Sequence, residues 1–240
     1  MIKAYIVVHN LLTWTKATVD WLNEQEGVEP VIIDNASTYQ PLKEWYRTKP
    51  CEILRVNRNY GCEVFWKLGF YDQAGQEFIV TDPDLDYEGI PADWLEVLRS
   101  GFKQVPGTQK VGFSLEIADL PDKFPGKEDI QKWETQFWKV KKTPRHYKAN
   151  IDTTFALYNK EYAPPMRYIG NALRTIKPYT AKHRPWYLCK EDLDEELMYY
   201  YYTANETLVN KTASDNNYVG STFKHYLDGA KPFSYFTGVK

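Results

Sequence analysis

The chain has 240 residues, 43% hydrophobic and 16% aromatic, which is ample apolar surface for a large core and excludes disorder. Thirty Lys and Arg against 32 Asp and Glu leave a formal net charge of −2, so no overall field favours nucleic acid. The apolar runs are strand-sized, far short of the ~20 residues of a membrane span, and no signal-like segment opens the chain, so a soluble cytoplasmic protein with no transmembrane segment is expected.

In chain order, residues 3–8 are a β-branched apolar run that predicts a buried strand. Thr13 is placed to cap a helix reaching about residue 25, with Trp14, Ala17, Trp21 and Leu22 on one face. A strand over 30–34, a helix over 40–48, a strand over 52–56 and a helix over 61–74 follow. Residues 77–81 read as a fourth strand, and Pro91 opens a helix to about 104. This alternation predicts the α/β class, with a mostly parallel central sheet covered by helices on both faces. Beyond it, 110–117 and 152–158 read as strands and 127–138 and 191–204 as helices, joined by Pro-rich connections. The expectation is one domain over 1–240, with a nucleotide-type half over 1–120 and an irregular half over 121–240 that would bind the acceptor.

Three cysteines (Cys51, Cys62, Cys189) without a C-x₂-C pair argue for buried free thiols, not disulfides or structural zinc. The Asn-x-Ser/Thr matches at Asn35, Asn205 and Asn210 read as chance.

In open α/β sheets ligands bind beyond the carboxyl ends of the strands. Those ends are polar here: Val8-His9-Asn10, then Asp34-Asn35-Ala36-Ser37-Thr38, then Asn57-Arg58-Asn59-Tyr60-Gly61, then Thr81-Asp82-Pro83-Asp84. Neither a G-x-G-x-x-G turn nor a G-x₄-G-K-[ST] loop is present, so phosphates need another source of positive charge. Asp82 and Asp84, alternate residues of an extended segment, share a face and can converge on Mn2+ or Mg2+. Turn and N-cap chemistry ahead of the Pro91 helix is the alternative. An EF-hand-like loop beginning at Asp82 fails, because Tyr87 stands where the sharp turn wants Gly.

Taken in order, Val8-His9-Asn10, Asp34-Asn35-Ala36-Ser37-Thr38, Asn59-Tyr60-Gly61 and Asp82-Pro83-Asp84 resemble the family-2-like GT-A glycosyltransferases over roughly residues 1–120. The resemblance implies a single-domain GT-A fold and a nucleotide-diphosphate sugar donor. Val8, His9, Asn10, Asn35 and Gly61 would line the nucleotide site, Asp34 would contact the base and Asn59 would lie near the nucleotide. Asp82 and Asp84 would form the metal-binding Asp-x-Asp motif.

The Q-x-x-R-W motif and membrane helices of processive family members are missing, which implies a non-processive transferase. The family's Glu-Asp helix finds a loose match in residues 191–196, with Glu195 a candidate catalytic carboxylate. Asp152, at the start of an expected strand, is a candidate base for the acceptor hydroxyl. His183, within Lys182-His183-Arg184-Pro185-Trp186-Tyr187, is a candidate third metal ligand or diphosphate contact, with Lys182 and Arg184 offsetting diphosphate charge. The basic run 139–148 reads as a solvated loop or as a contact with an acidic acceptor or an anionic membrane carrying a lipid-linked glycan, so peripheral membrane contact is an expectation. Thirteen of the 19 tyrosines lie in 121–240, so core packing aside, Tyr199–Tyr202 and their neighbours are candidates for an acceptor platform. The rival readings are a sugar nucleotidyltransferase, which lacks its Gly-rich loop here, and a silent nucleotide- or carbohydrate-binding module.

Overall fold

The structure, a computed structural model, describes residues 1–203 apart from 125, 168 and 169; Asn205 and Asn210 lie outside them. Strands β1 (Ile2–Val8), β2 (Val28–Asp34), β3 (Glu52–Arg55) and β4 (Glu77–Thr81) are parallel and lie side by side in the order β3-β2-β1-β4. Helix α1 (Leu12–Asn23) connects β1 to β2, and α2 (Gln40–Tyr46) lies between β2 and β3. β1 is buried on both faces, which explains its continuous apolar run. Ala4, Ile6 and Val8 enter one core layer, while Tyr5 and Val7 enter the other.

The helix expected over 61–74 is broken. A 3₁₀ turn (Gly61–Glu63) leads into α3 (Val64–Lys67), and Gly69, at φ 71°, reverses the chain into α4 (Phe70–Gln73). Only glycine adopts that left-handed geometry without a Cβ penalty. After β4 come a short β5 (Leu85–Asp86) and α5 (Trp94–Gln104).

The run expected as one strand over 110–117 divides at Phe113. β6 (Lys110–Gly112) stays in the large sheet and β7 (Ser114–Leu115) enters a second, three-stranded sheet. A Cβ on Gly112 would sit 2.1 Å from the Phe155 carbonyl oxygen, so glycine is what lets β6 lie against the chain that leads into β10. Helix α6 (Lys127–Glu134) ends in a 3₁₀ turn (Thr135–Trp138). The basic run expected as a loop is instead a hairpin of β8 (Lys141–Thr143) and β9 (His146–Lys148) at the sheet edge. β10 (Ala156–Asn159) inserts antiparallel between β4 and β6. β11 (Ala172–Thr175) completes a nine-stranded sheet in the order β3-β2-β1-β4-β10-β6-β11-β9-β8. β12 (Thr180–His183) forms the small sheet with β5 and β7. Helix α7 (Glu195–Thr203) ends the described chain.

Among the described residues most aromatic rings lie in the core or pack against it. Trp21, Tyr87, Trp94, Phe113 and Phe155 pack ring on ring on one face of the sheet, and Tyr5, Phe65, Phe78 and Tyr158 on the other. The three cysteines are free and half-buried, not fully buried. Among the described residues no helix is long and apolar enough to cross a membrane.

Candidate active site

Register brings the parallel strand ends level: Val8 lies beside Asp34, and Asp34 beside Arg55. Asn10, fully buried at φ 55°, accepts the Thr38 and Tyr39 N–H groups on its Oδ1 at 2.6 and 2.9 Å. Its own N–H donates to Ser37 Oγ at 3.0 Å. Asn35 accepts the Tyr60 N–H at 2.9 Å and donates to Asn59 Oδ1 at 2.9 Å and the Gly61 carbonyl at 3.0 Å. Asn59 Oδ1 also accepts the Gly61 N–H at 2.8 Å, and the Val8 carbonyl accepts the Asn35 N–H at 2.8 Å. Asp34, buried, accepts the Ser37 N–H on Oδ1 at 3.0 Å. His9 donates from Nδ1 to the Asn35 carbonyl at 2.9 Å. The strand-end residues singled out from the sequence therefore do come together, and the side chains of Asn10, Asn35 and Asn59 brace the three loops against one another. Arg55, with its guanidinium 5.7 Å from the centre of the Tyr46 ring, is a cation beside Asp34 that sequence reasoning passed over.

The acidic turn after β4 is held from three sides. Thr18 Oγ1 of α1 donates to the Pro83 carbonyl at 3.0 Å, and the Arg184 N–H donates to the Asp84 carbonyl at 2.8 Å. Antiparallel pairing of β5 with β12 sets His183 opposite Leu85 and places its Nε2 3.1 Å from Asp84 Oδ2. The Thr153 side chain lies near enough to Asp82 to favour its charged form. Burial and then the charge of Asp84 push its carboxyl far above the ordinary carboxylate range, against the opposing pull of Thr153 and Arg167.

Asp84 Oδ1 and His183 Nδ1 are buried without a hydrogen-bond partner. Two crowded carboxylates with an orphaned oxygen are a donor set for a hard divalent cation. Among the described residues no three His, Cys, Asp or Glu side chains gather into a ready-made cage. Mg2+ is commonly held by one or two carboxylates with substrate phosphates completing the shell. His183 meets Asp84, not a three-ligand cluster.

Lys182 and Arg184 are already committed, Lys182 to Asp119 at 2.7 Å and Arg184 to Asp86 at 3.6 Å. Arg167 is a second cation the sequence did not flag. It pairs with Asp152, lies 3.9 Å from Glu63, pulls on Asp82, and keeps its buried Nε unpartnered. Asp152 does not open a strand, because β10 begins four residues later; its carboxylate is exposed and held by Arg167. Lys110, 1% exposed, donates to the Ile151 carbonyl at 2.6 Å and reaches the Asp152 carbonyl at 3.4 Å, and burial lowers its pKa to about 7.

Glu195 is exposed at the first turn of α7. The buried member of that acidic run is Glu196. Its Oε1 accepts the Thr13 N–H and its Oε2 the Thr13 hydroxyl, both at 2.9 Å. Thr13 therefore does not cap α1 with its own side chain; Glu196 supplies the cap from a distant segment. α7 continues across the strand ends: Thr203 Oγ1 accepts from the Asn10 amide at 2.7 Å, and Tyr199 donates to Thr38 at 2.9 Å. The hydroxyl pKa of Tyr200 is raised by burial and by the charges of Asp84 and Asp82, which locates this side chain near the acidic pair.

No family model matches the chain, and no curated protein matches it in sequence. Among solved structures it is similar to the mannosyltransferase PcManGT from Pyrobaculum calidifontis, solved in complex with GDP-Man and Mn2+, at 13% identity and a TM-score of 0.50, covering 95% of this chain and 70% of that one. Glucosyl-3-phosphoglycerate synthase from Mycobacterium tuberculosis, in complex with phosphoglyceric acid, matches at 12% identity and a TM-score of 0.43 over 67% of this chain and 57% of that one. The fold is of the GT-A type, with a large, mostly parallel central sheet in its first half.

Proposed function

We propose that the protein is a metal-dependent, non-processive glycosyltransferase that moves a sugar from a nucleotide-diphosphate sugar to a saccharide or lipid-linked glycan acceptor. The observation that carries this reading is the Asp82–Asp84 pair at the carboxyl end of β4, with Asp84 Oδ1 buried and unpartnered. The likeness in fold to a mannosyltransferase complexed with GDP-Man and Mn2+ supports it.

In this reading the loops braced by Asn10, Asn35 and Asn59 receive the nucleoside, with Asp34 toward the base. Asp82 and Asp84 hold Mn2+ or Mg2+, which when bound offsets charge on the departing diphosphate. His183 orients Asp84 through its 3.1 Å contact. Arg167 fixes the Asp152 carboxylate, which takes the proton of the acceptor hydroxyl as that oxygen attacks the anomeric carbon. Glu195 is the second candidate base, and its loss tests it directly against Asp152.

Asp84→Ala is expected to abolish both sugar transfer and donor hydrolysis in folded protein, and saturating chelator to do the same to the parent chain. Titration calorimetry with UDP, GDP, CDP and dTDP, with and without Mn2+, should find at least one nucleotide whose binding needs the metal. Binding of none of the four would overturn the reading, as would full activity in Asp84→Ala.

A further inference from the structure

The hairpin β8–β9 and the turn before it gather a charge that the rest of the chain does not share. Residues 132–148 contain six Lys and Arg against one acidic side chain, in a protein of net charge −2. The acidic one, Glu134, is buried and bonded to Arg174 at 2.8 Å, so it offers nothing to the surface. Arg145 is spoken for by Asp93. Lys132, Lys139, Lys141, Lys142 and Lys148 are exposed and make no ion pair among the described residues.

Apolar groups stand among these lysines. Trp133 is 46% exposed and Val140 56% exposed. Trp133 packs against Phe137, and Trp138 against Tyr147 of β9, so the rings run from α6 onto the hairpin. Lysines on an edge strand have a plain use, since charge there blocks pairing with another sheet. That use covers Lys141 and Lys142 on β8. It does not account for an exposed Trp on the neighbouring helix, an exposed Val between lysines, or Lys132 and Lys139 off the strand.

We infer that this edge is a docking surface for an anionic lipid bilayer. Lysines draw the edge to acidic headgroups, and Trp133 and Val140 enter the interfacial layer, where an indole ring has both apolar and polar neighbours. A soluble polyanion would reward the lysines but gain little from an exposed valine. The surface stands at the opposite end of the large sheet from β3, away from the loops proposed to hold the nucleoside. That position suits a lipid-linked acceptor under the proposed function, although the docking does not depend on that reading.

The test uses the full chain and vesicles of phosphatidylcholine alone or with one third phosphatidylglycerol, read by co-sedimentation and by the tryptophan emission shift. Binding is expected only with the anionic lipid, and to weaken steeply with salt. Each lysine near such a surface is worth about fivefold in partitioning, so Lys139→Gln/Lys141→Gln/Lys142→Gln should lose about a hundredfold. The matching triple Lys→Arg variant should bind like the parent. Trp133→Ala should weaken binding and remove much of the emission shift. Equal thermal melting of the variants separates lost docking from lost fold. Equal binding to both vesicle types, undiminished binding by the triple Gln variant, or retention on heparin or single-stranded nucleic acid without vesicle binding would each overturn the inference. Because nucleotide calorimetry is a separate readout, failure here leaves the transferase reading standing, and the reverse holds.

Discussion

Glu196 joins two segments 183 residues apart, and its removal should be felt both in stability and at the site. Helix α1 has no side-chain cap of its own and no acidic residue in its first turn, so its amino end depends on this carboxylate. Glu196→Ala removes the partner of the Thr13 N–H and hydroxyl, and water reaches Thr13 in its place, because Thr13 is exposed. A charge-assisted hydrogen bond is worth about 1.5–3 kcal/mol when it is shielded, and less where water can replace it. A total of about 1–2 kcal/mol is expected, as for a lost helix cap. Glu196→Gln keeps one acceptor and the shape, and should cost under about 1 kcal/mol.

The sign of the pH effect separates the two variants further. Burial raises the Glu196 carboxyl pKa despite the opposing hydrogen bonds from Thr13. A carboxyl with a raised folded-state value contributes stability that is fully present below the unfolded value of about 4.3 and is lost as pH rises through the folded one. The Gln variant should therefore gain on the parent over that acid window and hold a constant difference above it. Urea melts at several pH values provide the free energies, and hydrogen exchange over α7 and the first turn of α1 reports whether both ends loosen together. A cost below 0.5 kcal/mol for the Ala variant, or equal costs for Ala and Gln, would refute the capping role.

Two further predictions concern buried charge in the second half. Replacing Lys110 by Met should flatten part of the pH dependence of stability. The folded pKa is about 7 against an ordinary 10.5, so the unfolded chain binds more protons between those values and the parent gains stability on the variant as pH rises. Over the two units from pH 7 to 9 the gain approaches about 2–3 kcal/mol, and no slope in the difference would refute the burial argument. Glu134→Ala strands the Arg174 guanidinium, 4% exposed, and should cost about 3–5 kcal/mol, whereas Glu134→Leu with Arg174→Met should recover much of it in the same melts. Arg174 keeps the Asn150 carbonyl at 2.7 Å and the Phe137 ring, so complete loss of fold in the single variant would show that the pair does more than neutralise charge.

What was legible in the sequence is what depends on near neighbours along the chain. β1, β2 and β4 are apolar because both faces are covered, and that composition is visible residue by residue. The polar strand ends and the Asp82–Asp84 spacing belong to the same local grammar, so these candidates could be picked out from consecutive residues. The errors fall where a distant group intervenes. Residues 152–155 carry a strand-like composition, yet Lys110 takes the Ile151 carbonyl and reaches that of Asp152, Thr153 turns to Asp82, and the ladder starts only at Ala156. The run 110–117 is strand-like throughout, but its two ends are claimed by different sheets. His183 reaches Asp84 only through the pairing of β12 with a two-residue strand that has no periodicity to read. Among six clustered residues, Glu196 could be told from Glu195 only by the uncapped amino end of α1 that it meets. Arg167 has no motif at all, and its place beside Asp152 and Asp82 is a product of the fold. The strand-end part of the candidate site is therefore written in consecutive residues, whereas the part around Asp152, Arg167 and His183 is assembled from long-range contacts. Single substitutions at Lys110, Arg167 or Glu196 should disturb the site through position before they disturb it through chemistry.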